Sequence, residues 1–138
     1  MPAPLQNQII VIETPKGSFV KRNEHGQADF ISPVPCPFNY GHIKGEVGGD
    51  GDPLDALLLG KYRESGVEIT AKIFGCVYFI DDNMRDDKWI LSEKEPTKIQ
   101  KGMIVVFFGI YVQAKRLIAR LKGRKGQCCV ERIEYFER

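Results

Sequence analysis

Hydrophobic and polar residues alternate between positions 9 and 91 in the manner of β-strands. Four consecutive β-branched residues occupy 9–12 and are followed by the turn-forming residues 14–17, which predicts a strand and a turn. From 67 to 80, apolar residues first alternate with Glu68, Thr70 and Lys72 and then become continuous, which predicts a long strand. Residues 89–91 resume the pattern after an acidic turn, so we expect a hairpin.

The last third of the chain follows a helical period. Apolar residues at 103, 106, 107, 110, 114, 117 and 118 share one face of a helix predicted over 99–120, although Gly102 and Gly109 lower its intrinsic propensity. After a break at 123–126, the spacing of Cys129, Ile133 and Phe136 predicts a last short helix.

Two stretches predict irregular structure between the strands. Residues 29–41 hold three prolines, which favour a shaped loop or an edge strand. Residues 45–53 are rich in glycine and aspartate and are expected to be irregular. The pattern as a whole predicts an α+β protein, mostly β, with a barrel core and a single domain over 1–138.

Composition removes several classes of protein. The 138 residues are 43% hydrophobic, enough for a core, and the net charge of +2 is too balanced for a protein devoted to nucleic acid or anionic membrane. No apolar run approaches the roughly 18 residues that cross a bilayer, and residues 1–7 do not resemble a signal peptide. We therefore expect a cytoplasmic protein with no membrane partner.

Four cysteines without CxxC spacing, and two histidines, give poor support for a zinc site.

Seven of the eight aspartates fall in two short clusters, at 50–55 and 81–87. Close carboxylates repel one another unless they are solvated or countered by cations. If the two clusters lie at neighbouring strand ends, their oxygens can converge on hard divalent ions, and Mg²⁺ favours such ligands. The alternative is that both clusters are solvated turns, since aspartate and glycine favour turns in any case.

The first cluster resembles a known signature. Residues 50–56, with the sequence Asp-Gly-Asp-Pro-Leu-Asp-Ala, resemble the motif of the soluble, Mg²⁺-dependent inorganic pyrophosphatases of family I. Residues 37–43, 12–15 and 107–111, and the spacing of Asp81, Asp86 and Lys88, resemble other segments of that family in the same order. The resemblance implies an OB-like five-stranded barrel with peripheral helices.

The resemblance also implies an activity and a set of roles. The reaction is Mg²⁺-dependent hydrolysis of inorganic pyrophosphate to two phosphates by a metal-activated water. The implied metal ligands are Asp50, Asp55, Asp81 and Asp86. The implied catalytic residues are Asp52 as general base, Tyr40 and Lys88, and the implied phosphate ligands are Lys21, Lys88 and Tyr111. A homo-oligomer, either a dimer or a hexamer, is implied as well.

The phosphate site departs from the family at two positions. Ala28 stands where an ungapped alignment places a phosphate-binding arginine, and Val112 stands where a lysine follows the helical tyrosine. We hypothesise that Arg116 or Lys115, on the same helical face as Val112, supplies a missing cation.

Three alternatives stay open at this point. The first is a relative that hydrolyses another phosphoanhydride, such as a nucleoside polyphosphate. The second is a metal-binding or phosphate-binding protein with weak or no catalysis. The third is single-strand nucleic-acid binding, which the near-neutral charge and the two acidic loops disfavour.

Overall fold

The computed structural model describes residues 6–23, 25–47 and 51–136. The strands are β1 Asn7–Thr14, β2 Val20–Arg22, β3 Ala28–Ile31, β4 Asn39–Val47, β5 Pro53–Leu58, β6 Glu68–Asp81, β7 Met84–Arg85, β8 Lys88–Ser92 and β9 Cys129–Tyr135. Helix α1, Lys98–Leu121, is the single helix in the part of the chain that the structure describes. The strand at 9–12, the hairpin of β6 and β8, and the long helix confirm three predictions made from the sequence.

Five of the described strands close into a barrel. Their order is β1-β4-β5-β8-β6, and β6 returns to pair with β1, so each strand has two neighbours. The pairs are antiparallel except β5 and β8, which run parallel. The side chains that fill one apolar cluster come from all five strands and include Ile12, Ile43, Leu58, Ile73 and Leu91. This confirms the mostly β class and the OB-like five-stranded barrel.

A second apolar cluster lies where α1 packs on the barrel. Tyr40, Leu57, Phe79 and Ile90 of the barrel contact helix residues that include Phe108. Strands of this region are therefore covered on both faces, and all five residues of β8 are buried. Burial on both faces explains why the alternation of the first half of β6 gives way to a continuous apolar run.

Helix α1 starts with a complete capping box. The Thr97 side chain accepts a hydrogen bond from the Gln100 amide at 3.1 Å, and the Gln100 side chain accepts one from the Thr97 amide at 2.9 Å. Gly102 and Gly109 are both exposed, so the helix loses no packing at these positions.

The outward face of α1 is unusually apolar. Val105, Val106 and Leu117 are 58%, 63% and 54% exposed. By length and composition this helix is apolar enough to cross a membrane, a test that the core helix of a soluble protein also passes. The face that packs on the barrel holds Ile104, Phe107 and Phe108. The predicted apolar face is therefore wrong in part, because its positions 103, 106 and 117 are exposed and the buried face is rotated away from them.

The prediction of a last short helix is wrong, because residues 129–135 form β9 and pair with β6. Arg132 lies opposite Tyr78 and Val130 lies opposite Phe79, so Glu131 is an extra residue in a bulge. The bulge resets the alternation of side chains. It leaves the half-buried positions Cys129 and Ile133 four residues apart, which resembles a helical period.

The prediction of irregular structure over 45–53 is wrong at both ends. Residues 45–47 belong to β4, and Pro53 begins β5. The register shifts between His42 and Val47, and Gly45 adopts a φ of +81°, a bulge conformation that suits glycine. Residues 48–50 lie outside the described residues.

Gly41→Ala is expected to destabilise the barrel. A Cβ at this position would lie 1.8 Å from the carbonyl oxygen of Val11, so β1 and β4 would have to separate. We expect the free energy of unfolding to fall by about 1–3 kcal/mol, measured by urea denaturation. The matched control is Gly102→Ala, where a Cβ meets no atom within 4 Å. It should raise stability by up to about 1 kcal/mol. Equal effects of the two substitutions would contradict the close approach of the strands.

Candidate active site

A polar cleft opens beside the apolar cluster that α1 covers. Strand register builds it: His42 of β4 lies opposite Asp55 of β5, and Lys88 of β8 lies opposite Val77 of β6. The cleft has a volume of about 760 Å³. The predicted site residues that line it are Lys21, Tyr40, Asp52, Asp55, Asp81 and Asp86.

The Lys88 ammonium joins the two acidic clusters. Its Nζ lies 2.9 Å from Asp55 Oδ2 and 2.7 Å from Asp86 Oδ2, and the side chain is 1% exposed. The faces of the Phe79 and Tyr40 rings lie within 5.6 and 5.9 Å of it. The two carboxylates and the ammonium therefore form one cluster of charges at the edge of the apolar layer.

The pKa values in this group move in different directions. Burial opposes ionisation of Asp55, but the Lys88 and Lys21 ammonium groups outweigh it and lower the pKa of Asp55 to about 2. Burial, reinforced by the charge of Asp55, raises the pKa of Asp86. Burial also opposes the charge on Lys88, yet the carboxylates of Asp55 and Asp86 raise its pKa well above the ordinary value. Lys88 therefore stays an ammonium.

Two tyrosines meet behind the cleft. A small cavity of about 20 Å³, room for about one water, lies between Lys21, Tyr40, Lys88 and Tyr111. The Tyr40 hydroxyl is buried and has no hydrogen-bond partner among the described residues. Burial also raises the pKa of Tyr40, which keeps the hydroxyl protonated. An unpaired buried donor beside a cation and two carboxylates is a feature that a polar ligand would satisfy.

Of the two helical cations that the sequence offers for the cleft, the structure brings one to it. Lys115 lines the cleft, and its Nζ lies 3.1 Å from Asp81 Oδ2. Arg116 does not line the described part of the cleft; its Nε donates to the carbonyl oxygen of Cys128 at 2.9 Å. The placement follows from the helical period, which points adjacent side chains about 100° apart. Lys115 is therefore the member of the pair that lies at the described cleft.

The sequence did not single out Asn39 as a site-building residue. This side chain is fully buried, and its Oδ1 accepts hydrogen bonds from the amides of Lys16 at 3.0 Å and Arg63 at 2.9 Å. Its Nδ2 donates to the carbonyl oxygen of Lys61 at 2.8 Å. Asn39 thus ties two loops to the start of β4, directly before Tyr40. Its place in the family-like segment 37–43 was the available signal.

A second pair in the cleft was also missed. His42 Nδ1 lies 2.9 Å from Glu13 Oε2, and both residues line the cleft. The two are 29 positions apart, and only the pairing of β1 with β4 brings them together.

The metal ligands implied by the resemblance are only partly described. Asp50 lies outside the described residues, and among the remainder no three acidic, histidine or cysteine groups are arranged to enclose a metal ion. The donors that are present in the cleft are carboxylate oxygens, and Asp55 and Asp86 already share one cation at hydrogen-bond distance. A donor set of this kind fits a hard divalent cation.

These observations define a barrel protein of the OB type with an acidic, lysine-containing cleft on the outside of its barrel. Residues 10–105 match the model of a protein family that is described as "Inorganic pyrophosphatase". The chain belongs to the inorganic pyrophosphatase family, which confirms the resemblance seen in the sequence.

Relatives and solved structures agree with this family. An inorganic pyrophosphatase of Saccharolobus solfataricus is 35% identical over 96 residues, covering 64% of this chain and 56% of that protein. One from Haemophilus influenzae is 37% identical over 87 residues, covering 57% of this chain and 49% of that protein. The chain spans about half the length of the curated relatives it matches.

The fold is shared with solved pyrophosphatases over most of the chain. The structure from Neisseria gonorrhoeae has a TM-score of 0.70 at 27% identity and covers 92% of this chain and 81% of that one. The structure from Helicobacter pylori has a TM-score of 0.72 at 22% identity, covers 98% of this chain and 90% of that one, and shows the fold alone.

Lys88→Met is expected to destabilise the metal-free protein. Methionine keeps the length and the apolar contacts of the lysine stem, but it leaves Asp55 and Asp86 facing each other without the ammonium. We expect the free energy of unfolding at pH 7 to fall by at least about 2 kcal/mol, measured by urea denaturation.

Lys44→Met is the matched control. Lys44 pairs with Glu68 at 3.0 Å on the surface, where both side chains are about half exposed. This substitution should change stability by less than about 0.5 kcal/mol. A loss at Lys88 no larger than the loss at Lys44 would show that the buried group does not depend on its cation.

Proposed function

We propose that this protein hydrolyses inorganic pyrophosphate to two phosphates in the cleft, with Mg²⁺ as cofactor. The observation that carries the proposal is the meeting of opposite charges in one cleft. The carboxylates of Asp55, Asp81 and Asp86 lie there beside the ammonium groups of Lys21 and Lys115. A highly anionic substrate that arrives with divalent cations needs both kinds of group.

Magnesium would be held by the carboxylates of Asp50, Asp55, Asp81 and Asp86. When bound, it would lower the pKa of a coordinated water and polarise phosphate oxygens. The all-oxygen donor set supports this choice of ion over a softer metal.

The catalytic base in this proposal is Asp52. It is exposed at the entrance to β5 and lines the cleft, where its carboxylate can accept a proton from an attacking water. Tyr40, with its unpaired buried hydroxyl, would orient that water or a phosphate oxygen.

The substrate in this proposal is held by cations and one tyrosine. Lys88 uses two of its three donors on Asp55 and Asp86, which leaves one N–H for a phosphate oxygen. Lys21 and Tyr111 line the small cavity beside it. Lys115 adds the cation that Val112 cannot supply. These donors would stabilise the negative charge that grows on the leaving phosphate.

Asp52→Asn tests the role of the base. Asparagine keeps the size of the side chain but cannot accept the proton, so Mg²⁺-dependent phosphate release from pyrophosphate should fall by roughly 100-fold or more. Glu68→Gln, which removes an exposed carboxylate of β6 outside the cleft, should keep wild-type activity. Negligible phosphate release by the folded wild type would instead favour a protein that binds metal or phosphate without efficient catalysis.

We also propose that the protein self-associates through the outward face of α1. Val105, Val106 and Leu117 leave apolar surface exposed on this face, and such surface is typical of protein contacts. A cytoplasmic location stays a prediction from the sequence.

Val106→Glu tests this surface. A carboxylate in the middle of the apolar face should shift the mass in solution, measured by multi-angle light scattering, toward that of one chain. Tyr62→Glu is the control, because Tyr62 is 57% exposed and lies outside the helix. A wild-type protein that is already a single chain, or equal masses for wild type and Val106→Glu, would overturn the proposal.

A further inference from the structure

We propose that a groove beside the cleft binds the nucleoside end of a nucleoside polyphosphate, so that the substrates extend beyond inorganic pyrophosphate. The inference rests on the proposed function, because the phosphoanhydride would lie in the same cleft. The groove has a volume of about 500 Å³ and shares Asp81 and Lys115 with the cleft. That volume lies within the range of about 300–1,000 Å³ that small-molecule sites occupy.

The walls of the groove are fixed by specific contacts. The Asn83 amide donates to the carbonyl oxygen of Gln127 at 3.0 Å, and the Gln127 amide donates to Asn83 Oδ1 at 2.7 Å. Gly126 packs so closely on the β6–β7 turn that a Cβ there would lie 2.0 Å from Asp82 Oδ1. Arg116 holds the same loop to the helix through the Cys128 carbonyl. The groove is thus formed before any ligand binds.

The lining of the groove combines apolar and charged groups. Phe30, Ile31 and Ile118 supply apolar surface, and Ile31 is 71% exposed. Lys122 and Arg124 supply positive charge, and Asp82 supplies a carboxylate. A planar base can lie on the apolar residues while a phosphate meets the cations. An inorganic chain of phosphates would use the cations and leave the apolar surface unused, so the groove favours the nucleotide.

The join between groove and cleft suits a continuous phosphate chain. Lys115 lies at this join, bound to Asp81 and with its Nζ 5.4 Å from the centre of the Phe30 ring. Ala28 lines the groove with only a methyl group, at the position where the family resemblance places an arginine. A longer side chain at 28 would take up space in the groove.

The reaction would follow the same chemistry as pyrophosphate hydrolysis. A water oxygen bonds to the terminal phosphorus, and the bond from that phosphorus to the bridging oxygen breaks. Phosphate and a nucleoside diphosphate leave, and one proton is released to solvent. No oxidant, reductant or second substrate is required.

The experiment compares nucleotide binding with pyrophosphate turnover in matched variants. The nucleotide probe is adenosine 5′-(β,γ-imido)triphosphate with Mg²⁺, and its Kd is measured by calorimetry. Ala28→Leu fills the groove without adding a charge, and Arg124→Gln removes one of its cations. Arg120→Gln is the control, because it removes a cation from the same region outside the groove lining.

We expect Ala28→Leu and Arg124→Gln each to raise the nucleotide Kd by about ten-fold or more. The KM for pyrophosphate should stay within about two-fold of wild type, and Arg120→Gln should change neither value. An unchanged nucleotide Kd in both groove variants, or an equal loss of nucleotide and pyrophosphate affinity, would overturn the groove. If the wild type releases no phosphate from pyrophosphate, the proposed function is refuted instead. The nucleotide Kd and the release of phosphate are measured separately, so the two outcomes can be told apart.

Discussion

The cleft depends on one buried cation. Asp55 and Asp86 come from different segments, and the parallel pairing of β5 with β8 brings them close together. Without a cation between them, these two partly shielded carboxylates would repel each other, and their pKa values would rise. The Lys88 ammonium between them removes this cost and lowers the pKa of Asp55. An acidic site can therefore persist at the edge of an apolar layer.

The position of the cleft follows from how far α1 covers the barrel. Phe107 and Phe108 pack on the outside of the sheet, next to Tyr40 and Phe79. One turn further along the helix, Tyr111 still packs in this layer, whereas Lys115 reaches the cleft and binds Asp81. The transition from apolar to polar contacts thus takes place within one element. The proposed substrate cations are carried by the same helix that stabilises the fold.

The groove beside the cleft arises from contacts that serve the fold as well. Asn83 and Gln127 hold the loop after α1 against the β6–β7 turn, and Gly126 permits the close approach. β9 continues from this loop and pairs with β6. The segment that follows α1 therefore pairs with β6 and also forms one wall of the proposed nucleotide groove.

Local pattern predicted most of the secondary structure. The β-branched run at 9–12, the alternation in β6 and the helical period of α1 were all visible, because each element buries one face or both. The failures fell where a bulge shifts the alternation. Glu131 in β9 and Gly45 in β4 each mark such a shift, and a bulge depends on the partner strand, which no local pattern reveals.

The sequence by itself determined the two acidic clusters, their resemblance to a pyrophosphatase signature and the cations available on the helix. Only the tertiary structure decided which of these groups meet. It joined Asp55 and Asp86 through Lys88, paired Glu13 with His42, and directed Lys115 to the cleft. The physical reason is that Coulomb and hydrogen-bond energies depend on the distances between groups in space. Closure of the barrel and the packing of α1 on it set those distances across 29 to 34 positions of sequence.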